Sequence, residues 1–127
     1  MAYLIDANII IRFLIGDDED KLQESKELFE AIERGSIDVI VSEGILMEAY
    51  FVLTKFYDLP KSEVIEDLKA ILALEGVVNA DKMILFEALS ICKELNIDSM
   101  DALLCAKAKL QGHQIISYDK DIKRCMQ

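Results

Sequence analysis

The 127 residues are enough for one domain with a single hydrophobic core, and a hydrophobic fraction of 53% excludes a disordered chain. The formal net charge of −10 argues against broad basic surfaces that bind nucleic-acid phosphates. Cations bound by some of the 24 acidic residues would, however, make the local electrostatic field positive. The apolar runs are shorter than the ~20 residues of a membrane span and no signal peptide is readable, so we expect one cytoplasmic domain over residues 1–127.

Strand and helix patterns alternate along the first half of the chain. The predicted elements are a buried strand over 2–5, a short helix over 8–14 that Asn8 can cap, an amphipathic helix over 19–34, a strand over 38–41, and a helix that Ser42 can cap and that runs to about residue 57. A Gly-Asp-Asp break at 16–18 separates the first two helices, and Gly35 ends the second.

The second half continues this alternation. It predicts a helix from Pro60 to about residue 74, a weak strand over 76–78, helices over 81–95 and 99–111, a strand over 114–117, and at most a short helix from Lys120. Strands that alternate with helices predict an α/β fold, in which helices cover both faces of a parallel sheet.

The cysteines and the histidine exclude several kinds of site. Cys92, Cys105 and Cys125 are widely spaced and form no CxxC pair, so we expect neither a zinc knuckle nor a disulfide framework. Cys92 and Cys105 lie in helical patterns and are expected to be small core residues. His113 is the only histidine, which excludes a histidine-rich zinc site and any Ser-His or Cys-His nucleophilic pair.

Four carboxylates lie where apolar segments end: Asp6, Glu48, Asp101 and Asp119. In an open α/β sheet the carboxyl ends of the strands form the ligand crevice, so acids at these positions can gather into one negative pocket. Such a pocket is costly unless a divalent cation neutralises it. Oxygen donors without histidine favour Mg²⁺ or Mn²⁺ over Zn²⁺.

Each of these acids also has a structural interpretation. Asp6 can cap the helix that follows the first strand. Helical phase places Glu48 beside the apolar stripe of its helix and Glu43 on the opposite, solvated side, so we select Glu48 as the ligand. An ion pair with a nearby Lys or Arg is the alternative explanation for Glu48.

The two C-terminal acids require a choice between neighbours. Asp98 and Asp101 have the spacing of a capping box, and we assign Asp98 as the cap and Asp101 as the ligand. Asp119 and Asp121 can both cap the last helix. We prefer Asp119 as the fourth acid because it lies nearer the end of the predicted strand.

Four blocks, in this order and spacing, resemble the PIN-domain ribonucleases, and most closely the VapC-like toxins of type II toxin–antitoxin systems. The blocks are Leu-Ile-Asp-Ala-Asn at 4–8, Ser42 with Leu-Met-Glu at 46–48, Asp-Ser-Met-Asp-Ala-Leu at 98–103, and Ser-Tyr-Asp-Lys-Asp at 117–121. The resemblance implies a three-layer α/β/α sandwich with a central parallel sheet of four to five strands.

The resemblance also implies a function. It implies cleavage of single-stranded RNA with Mg²⁺ or Mn²⁺, in which Asp6, Glu48, Asp101 and Asp119 are the catalytic, metal-binding acids. Asn8 and Ser117 would be polar supports. The implied partners are a second copy of the chain, in a homodimer, and a small antitoxin protein that inserts into the acidic groove.

Two other functions are compatible with the same residues. A Mg²⁺-dependent phosphotransferase or phosphatase would use Asp6 as its nucleophile, although Asn8 stands where many such enzymes have a second acid. A non-catalytic binding module would use its acids only to cap helices and to solvate the surface.

Overall fold

The computed structural model describes residues 1–16 and 18–126; Asp17, within the predicted break at 16–18, and Gln127 lie outside the described residues. The chain divides into two compact units, Met1–Ala80 and Asp81–Gln127. Unit 1 contains β1 (Ala2–Leu4), α1 (Ala7–Ile15), α2 (Glu19–Arg34), β2 (Asp38–Ile40), α3 (Glu43–Phe51), a π-helical turn (Val52–Phe56) and α4 (Lys61–Leu72). Unit 2 contains α5 (Lys82–Leu95), α6 (Ser99–Gln111) and α7 (Lys120–Cys125).

The sheet of unit 1 is parallel and small. β1 and β2 pair with Ala2 opposite Asp38 and Leu4 opposite Ile40. The predicted strand at 76–78 contributes a parallel bridge between Val77 and Val39. Mixed α/β structure is therefore confirmed, but the described residues form a two-stranded sheet with this bridge and not four to five strands.

Two predicted strands differ from the structure. The strand expected over 114–117 is not formed, and Ile116 is fully exposed there. β1 is formed but is not buried, since Leu4 is 77% exposed. An apolar run favours extended backbone, whereas pairing and burial depend on distant residues that local sequence does not specify.

Side-chain caps determine where the first helices begin. The Asp6 carboxylate accepts a hydrogen bond from the Ile9 N–H at 3.1 Å, so α1 begins at Ala7 and Asp6, not Asn8, is its cap. Asp18 caps α2 in the same way through the Lys21 N–H at 3.2 Å. The rings of Phe13 and Phe29 then stack at 4.2 Å between the two helices.

The core of unit 1 lies around α3 and α4. Leu46 and Leu53 from the α3 segment and Ile65, Leu68 and Leu72 from α4 are almost fully buried. Burial of each such side chain contributes roughly 1.5–3 kcal/mol to the free energy of unfolding. These residues hold α3 in place, and with it the acids that α3 carries.

The helix predicted from Ser42 to about residue 57 changes character before it ends. Val52–Phe56 form a π-helical turn, in which the Tyr57 N–H donates to the Val52 carbonyl at 3.1 Å. The hydroxyl of Thr54 donates to the Tyr50 carbonyl at 2.8 Å inside the same segment. Beyond this turn Phe56 is 78% exposed, so it does not belong to the buried stripe that the sequence predicted.

Unit 2 is a helical unit in which α5 packs against α6. Cys92 is buried, as predicted. Cys105 and Cys125 form a disulfide bond between α6 and α7, with their Cα atoms 6.2 Å apart, a pairing that the expectation of no disulfide framework does not include. A separation of 20 residues gives no local signal for this pairing.

Candidate metal centre

Three carboxylates of unit 2 converge. Asp101 lies in the first turn of α6, Asp119 is the N-cap of α7, and Asp121 lies in the first turn of α7. Each offers one carboxylate oxygen, and these three oxygens lie within 4.8 Å of one another. Asp101 and Asp121 are half-buried and Asp119 is exposed. We call these three residues the acid triad.

The start of α6 frees Asp101 from a capping role. Asp98 is the N-cap, and its carboxylate accepts a hydrogen bond from the Met100 N–H at 3.0 Å. The prediction that Asp98 is the cap of α6 is therefore confirmed. Asp101 lies next to Ala102 and Leu103, which are buried, so the helix core holds its backbone in place.

The loop before α7 positions Asp119. The Ser117 Oγ accepts a hydrogen bond from the Asp119 N–H at 3.0 Å, and Asp119 Oδ1 accepts one from the Asp121 N–H at 2.8 Å. Ser117 thus supports the acid through its backbone. Asp121 also lies 3.4 Å from the Arg124 guanidinium. The sequence suggested Asp119 or Asp121 as alternatives, whereas the structure brings both to Asp101.

The acid triad is electrostatically costly without a cation. Burial, followed by the charges of Asp119, Asp98 and Asp121, raises the pKa of the Asp101 carboxyl. A divalent cation would remove this penalty by binding the ionised form. Three carboxylates without nitrogen or sulfur donors suit a hard cation such as Mg²⁺ or Mn²⁺.

The other two predicted acids belong to unit 1. Asp6 is exposed and caps α1, and Asn8 is exposed in the first turn of that helix. Glu48 is exposed on α3, whereas Glu43 is half-buried, so the predicted position of Glu48 at the core edge is wrong. The buried face of α3 contains Leu46 and Ala49, with Tyr50 beside them.

Comparison with known proteins adds an independent observation. A family model described as the PIN domain matches residues 3–125. The chain belongs to the PIN domain family. PIN domains are generally metal-dependent nucleases, in agreement with the carboxylate chemistry of the acid triad. No curated protein and no solved structure matches the chain.

The match to the PIN domain includes every acid discussed above, because residues 3–125 contain positions 6 to 121. The family therefore supports a divalent metal site in general, and the chemistry of the three clustered carboxylates fits one. Among the helices of residues 1–16 and 18–126, none has the length and apolar character needed to cross a membrane.

A polar cavity lies on unit 1 of the PIN domain. It has a volume of about 400 Å³ and is lined by Asn8, Arg12, Asp18, Lys21 and Tyr57. Asn8 and Arg12 are one helical turn apart on α1, so they share a face. Sequence analysis identified Asn8 but missed Arg12, Lys21 and Tyr57, because they come from separate elements. We call this cavity the Arg12 pocket.

An apolar groove of about 560 Å³ lies between α1, α2 and α4 of unit 1. Its floor includes Phe13, Phe29 and Ile71, and the acids Glu30, Glu33 and Asp67 also line it, with Lys26. Burial, followed by the charge of Glu63, raises the pKa of the Asp67 carboxyl. The groove is therefore apolar with a predominantly acidic border.

Proposed function

We propose that this PIN domain is an endoribonuclease that cleaves single-stranded RNA by metal-activated water and acts as the toxin of a toxin–antitoxin pair. The observation that carries the proposal is the acid triad within a PIN-family chain. The catalytic acids in this proposal are Asp6, Glu48, Asp101 and Asp119, and we add Asp121 because its carboxylate lies beside those of Asp101 and Asp119.

Mg²⁺ or Mn²⁺ bound by these carboxylates would lower the pKa of water and neutralise charge on the phosphodiester. Asp101 contributes a carboxylate that no helix cap engages in the described contacts. Asp119 would contribute one carboxylate oxygen, while Ser117 holds the Asp119 backbone.

The capping contacts define the competing hypothesis. Asp6, Asp98 and Asp119 each cap a helix, which a non-catalytic module would also require. Asp101 is different, because it is half-buried among like charges and caps nothing in the described contacts. Asp101 is therefore the most diagnostic of the acids.

The test measures cleavage of a fluorescent single-stranded RNA by purified protein with Mn²⁺. Asp6→Asn and Asp101→Asn should each reduce the cleavage rate by about 100-fold or more, because each removes a ligand charge. Glu48→Gln is compared with Glu43→Gln, a matched change on the same helix that should leave the rate within about threefold. Undiminished cleavage by the Asp6→Asn or Asp101→Asn variant would overturn the assignment.

The antitoxin part of the proposal concerns a small protein with a basic, amphipathic segment. The apolar groove supports such a partner, because the half-buried Phe13 and Leu14 offer apolar surface beside the carboxylates of Glu30 and Glu33. The candidate is the product of a short neighbouring reading frame, co-expressed with the chain. Glu30→Lys with Glu33→Lys should weaken the complex about tenfold or more, whereas Glu24→Lys should not. A complex insensitive to the double reversal would contradict this binding site.

A homodimer is also proposed, and analytical ultracentrifugation of the purified chain would test it. A sedimentation coefficient of a monomer across the accessible concentration range would contradict it.

A further inference from the structure

The Arg12 pocket brings two basic side chains together in a chain in which acidic residues outnumber basic ones. The chain has 14 basic and 24 acidic residues, yet among residues 1–16 and 18–126 the lining of this cavity includes two basic side chains and one carboxylate. That carboxylate, Asp18, already accepts a hydrogen bond from the Lys21 N–H at the start of α2. The N-terminus of α2 carries a partial positive charge that offsets the Asp18 charge further.

The pocket lies a short distance along α1 from Asp6. Arg12 comes six positions after Asp6, which corresponds to about 9 Å along the helix axis. Asn8 lies between them and lines the cavity. Asp6 and the Arg12 pocket are therefore close enough along α1 for one nucleic-acid strand to reach both.

Aromatic rings border the same cavity. Tyr57 lines it and is 37% exposed, and the Phe56 ring contacts the Tyr57 ring edge-on at 5.1 Å between centroids. Phe56 is 78% exposed. Cationic side chains beside exposed aromatic rings are the combination by which proteins hold single strands, through phosphate contacts and base stacking.

We propose that the Arg12 pocket binds single-stranded RNA, with one backbone phosphate between Arg12 and Lys21 and a neighbouring base stacked on Tyr57 and Phe56. The inference rests on the proposed ribonuclease function, and it supplies the RNA contacts that the net charge of −10 leaves unexplained. Duplex RNA is a poorer ligand, because its bases are already stacked on each other.

The test measures binding of a fluorescent oligouridine by anisotropy, with EDTA present and with Asp6→Asn in every protein so that no cleavage occurs. Arg12→Gln with Lys21→Gln should weaken binding about tenfold and reduce the slope of log K against log salt by about 0.7, the value for one phosphate of a single strand. Tyr57→Ala should weaken binding about tenfold with the slope unchanged, and Tyr57→Phe should restore it.

The matched control is Lys26→Gln with Arg34→Gln. It removes two positive charges from α2, at positions outside the Arg12 pocket. It should weaken binding less than about twofold. Equal losses in the control and pocket variants, or equal affinity for a duplex, would overturn the inference. Because Arg12 also lies in the last turn of α1, melting temperatures are compared, and a loss of stability with unchanged RNA affinity would assign it a structural role only.

The experiments distinguish a failure of the ribonuclease proposal from a failure of the proposal that the Arg12 pocket binds RNA. Pocket-dependent binding by a chain that does not cut RNA with Mn²⁺ would overturn the nuclease and keep the binding site. Normal binding by the pocket variants of a chain that cuts RNA would overturn the binding site and keep the nuclease.

Discussion

The side chain of Asn79 binds both backbone polar groups of Val41. Its Nδ2 donates to the Val41 carbonyl at 2.6 Å, and its Oδ1 accepts from the Val41 N–H at 2.9 Å. Asn79 is only 9% exposed and Val41 is fully buried. The amide thus replaces a neighbouring strand where β2 ends, directly before Ser42 and α3. It fixes the path of the chain into the helix that carries Glu48.

We expect Asn79→Ala to lower the free energy of unfolding by about 2–4 kcal/mol, because two buried backbone groups lose their partners. Urea denaturation measures the effect. Gln114→Ala, at an exposed position, is the control and should change the free energy by less than about 0.5 kcal/mol. Equal stability of the two variants would show that water replaces the Asn79 amide.

Gly76 and Gly44 should respond in opposite ways to alanine. A Cβ on Gly76 would collide with the carbonyl oxygens of Ile37 and Ile32, whereas one on Gly44 meets no atom within 4 Å. We expect Gly76→Ala to destabilise unit 1 by about 1–3 kcal/mol through overpacking. Gly44→Ala should stabilise it by about 0.5–1 kcal/mol through helix propensity. Urea denaturation tests both, and a neutral Gly76→Ala would contradict the close backbone approach.

Mn²⁺ should raise the melting temperature of the protein by mass action, and Asp101→Asn should abolish this rise. Without metal, Asp101→Asn should melt about 1–3 °C higher at neutral pH, since it removes a carboxylate among like charges. Asp121→Asn should weaken the Mn²⁺ response. Glu94→Gln is the control, because it removes an exposed acid of α5 that lies outside the acid triad. An unchanged Mn²⁺ response in Asp101→Asn would exclude the acid triad as the metal site.

Asp67 should make stability depend on pH. Its pKa lies above 3.8 in the folded chain, so its ionisation costs stability as the pH rises through the folded pKa. Asp67→Asn should therefore melt about 1–3 °C higher at pH 7. This difference should shrink toward zero as the pH falls well below the ordinary aspartate pKa of 3.8, where Asp67 is protonated in both the folded and the unfolded chain.

Melting curves across this pH range measure the effect of Asp67. Glu63→Gln should give a smaller gain, because the Glu63 charge is the lesser cause of the shift. A difference between Asp67→Asn and the parent that persists in acid would contradict an ionic origin.

Local signals predicted the helices well. The helix over 19–34 and the helix over 99–111 agree with the structure to the residue, since Asp18 and Asp98 cap them and Gly35 and Gly112 end them. Helix caps and glycines in the left-handed conformation depend only on residues a few positions away. The local sequence is therefore enough to predict where these helices begin and end.

Features that depend on distant residues were not predicted. The strand expected over 114–117 needed a partner strand, and the Cys105–Cys125 bond joins cysteines that are 20 residues apart. Asp121 lies in the acid triad only because α7 returns to the start of α6. Glu48 was assigned to the core edge by regular helical phase, and its exposure differs from that assignment.

The π-helical turn makes the Arg12 pocket sensitive to chain length. The Tyr57–Val52 hydrogen bond spans five residues, one more than an α-helical bond. Deleting one residue within 52–56 would permit a regular α-helix, and it would rotate the position of Tyr57 by about 100° about the helix axis. An evolutionary deletion at this turn would therefore change the RNA binding proposed for the Arg12 pocket while leaving every carboxylate of the acid triad in place.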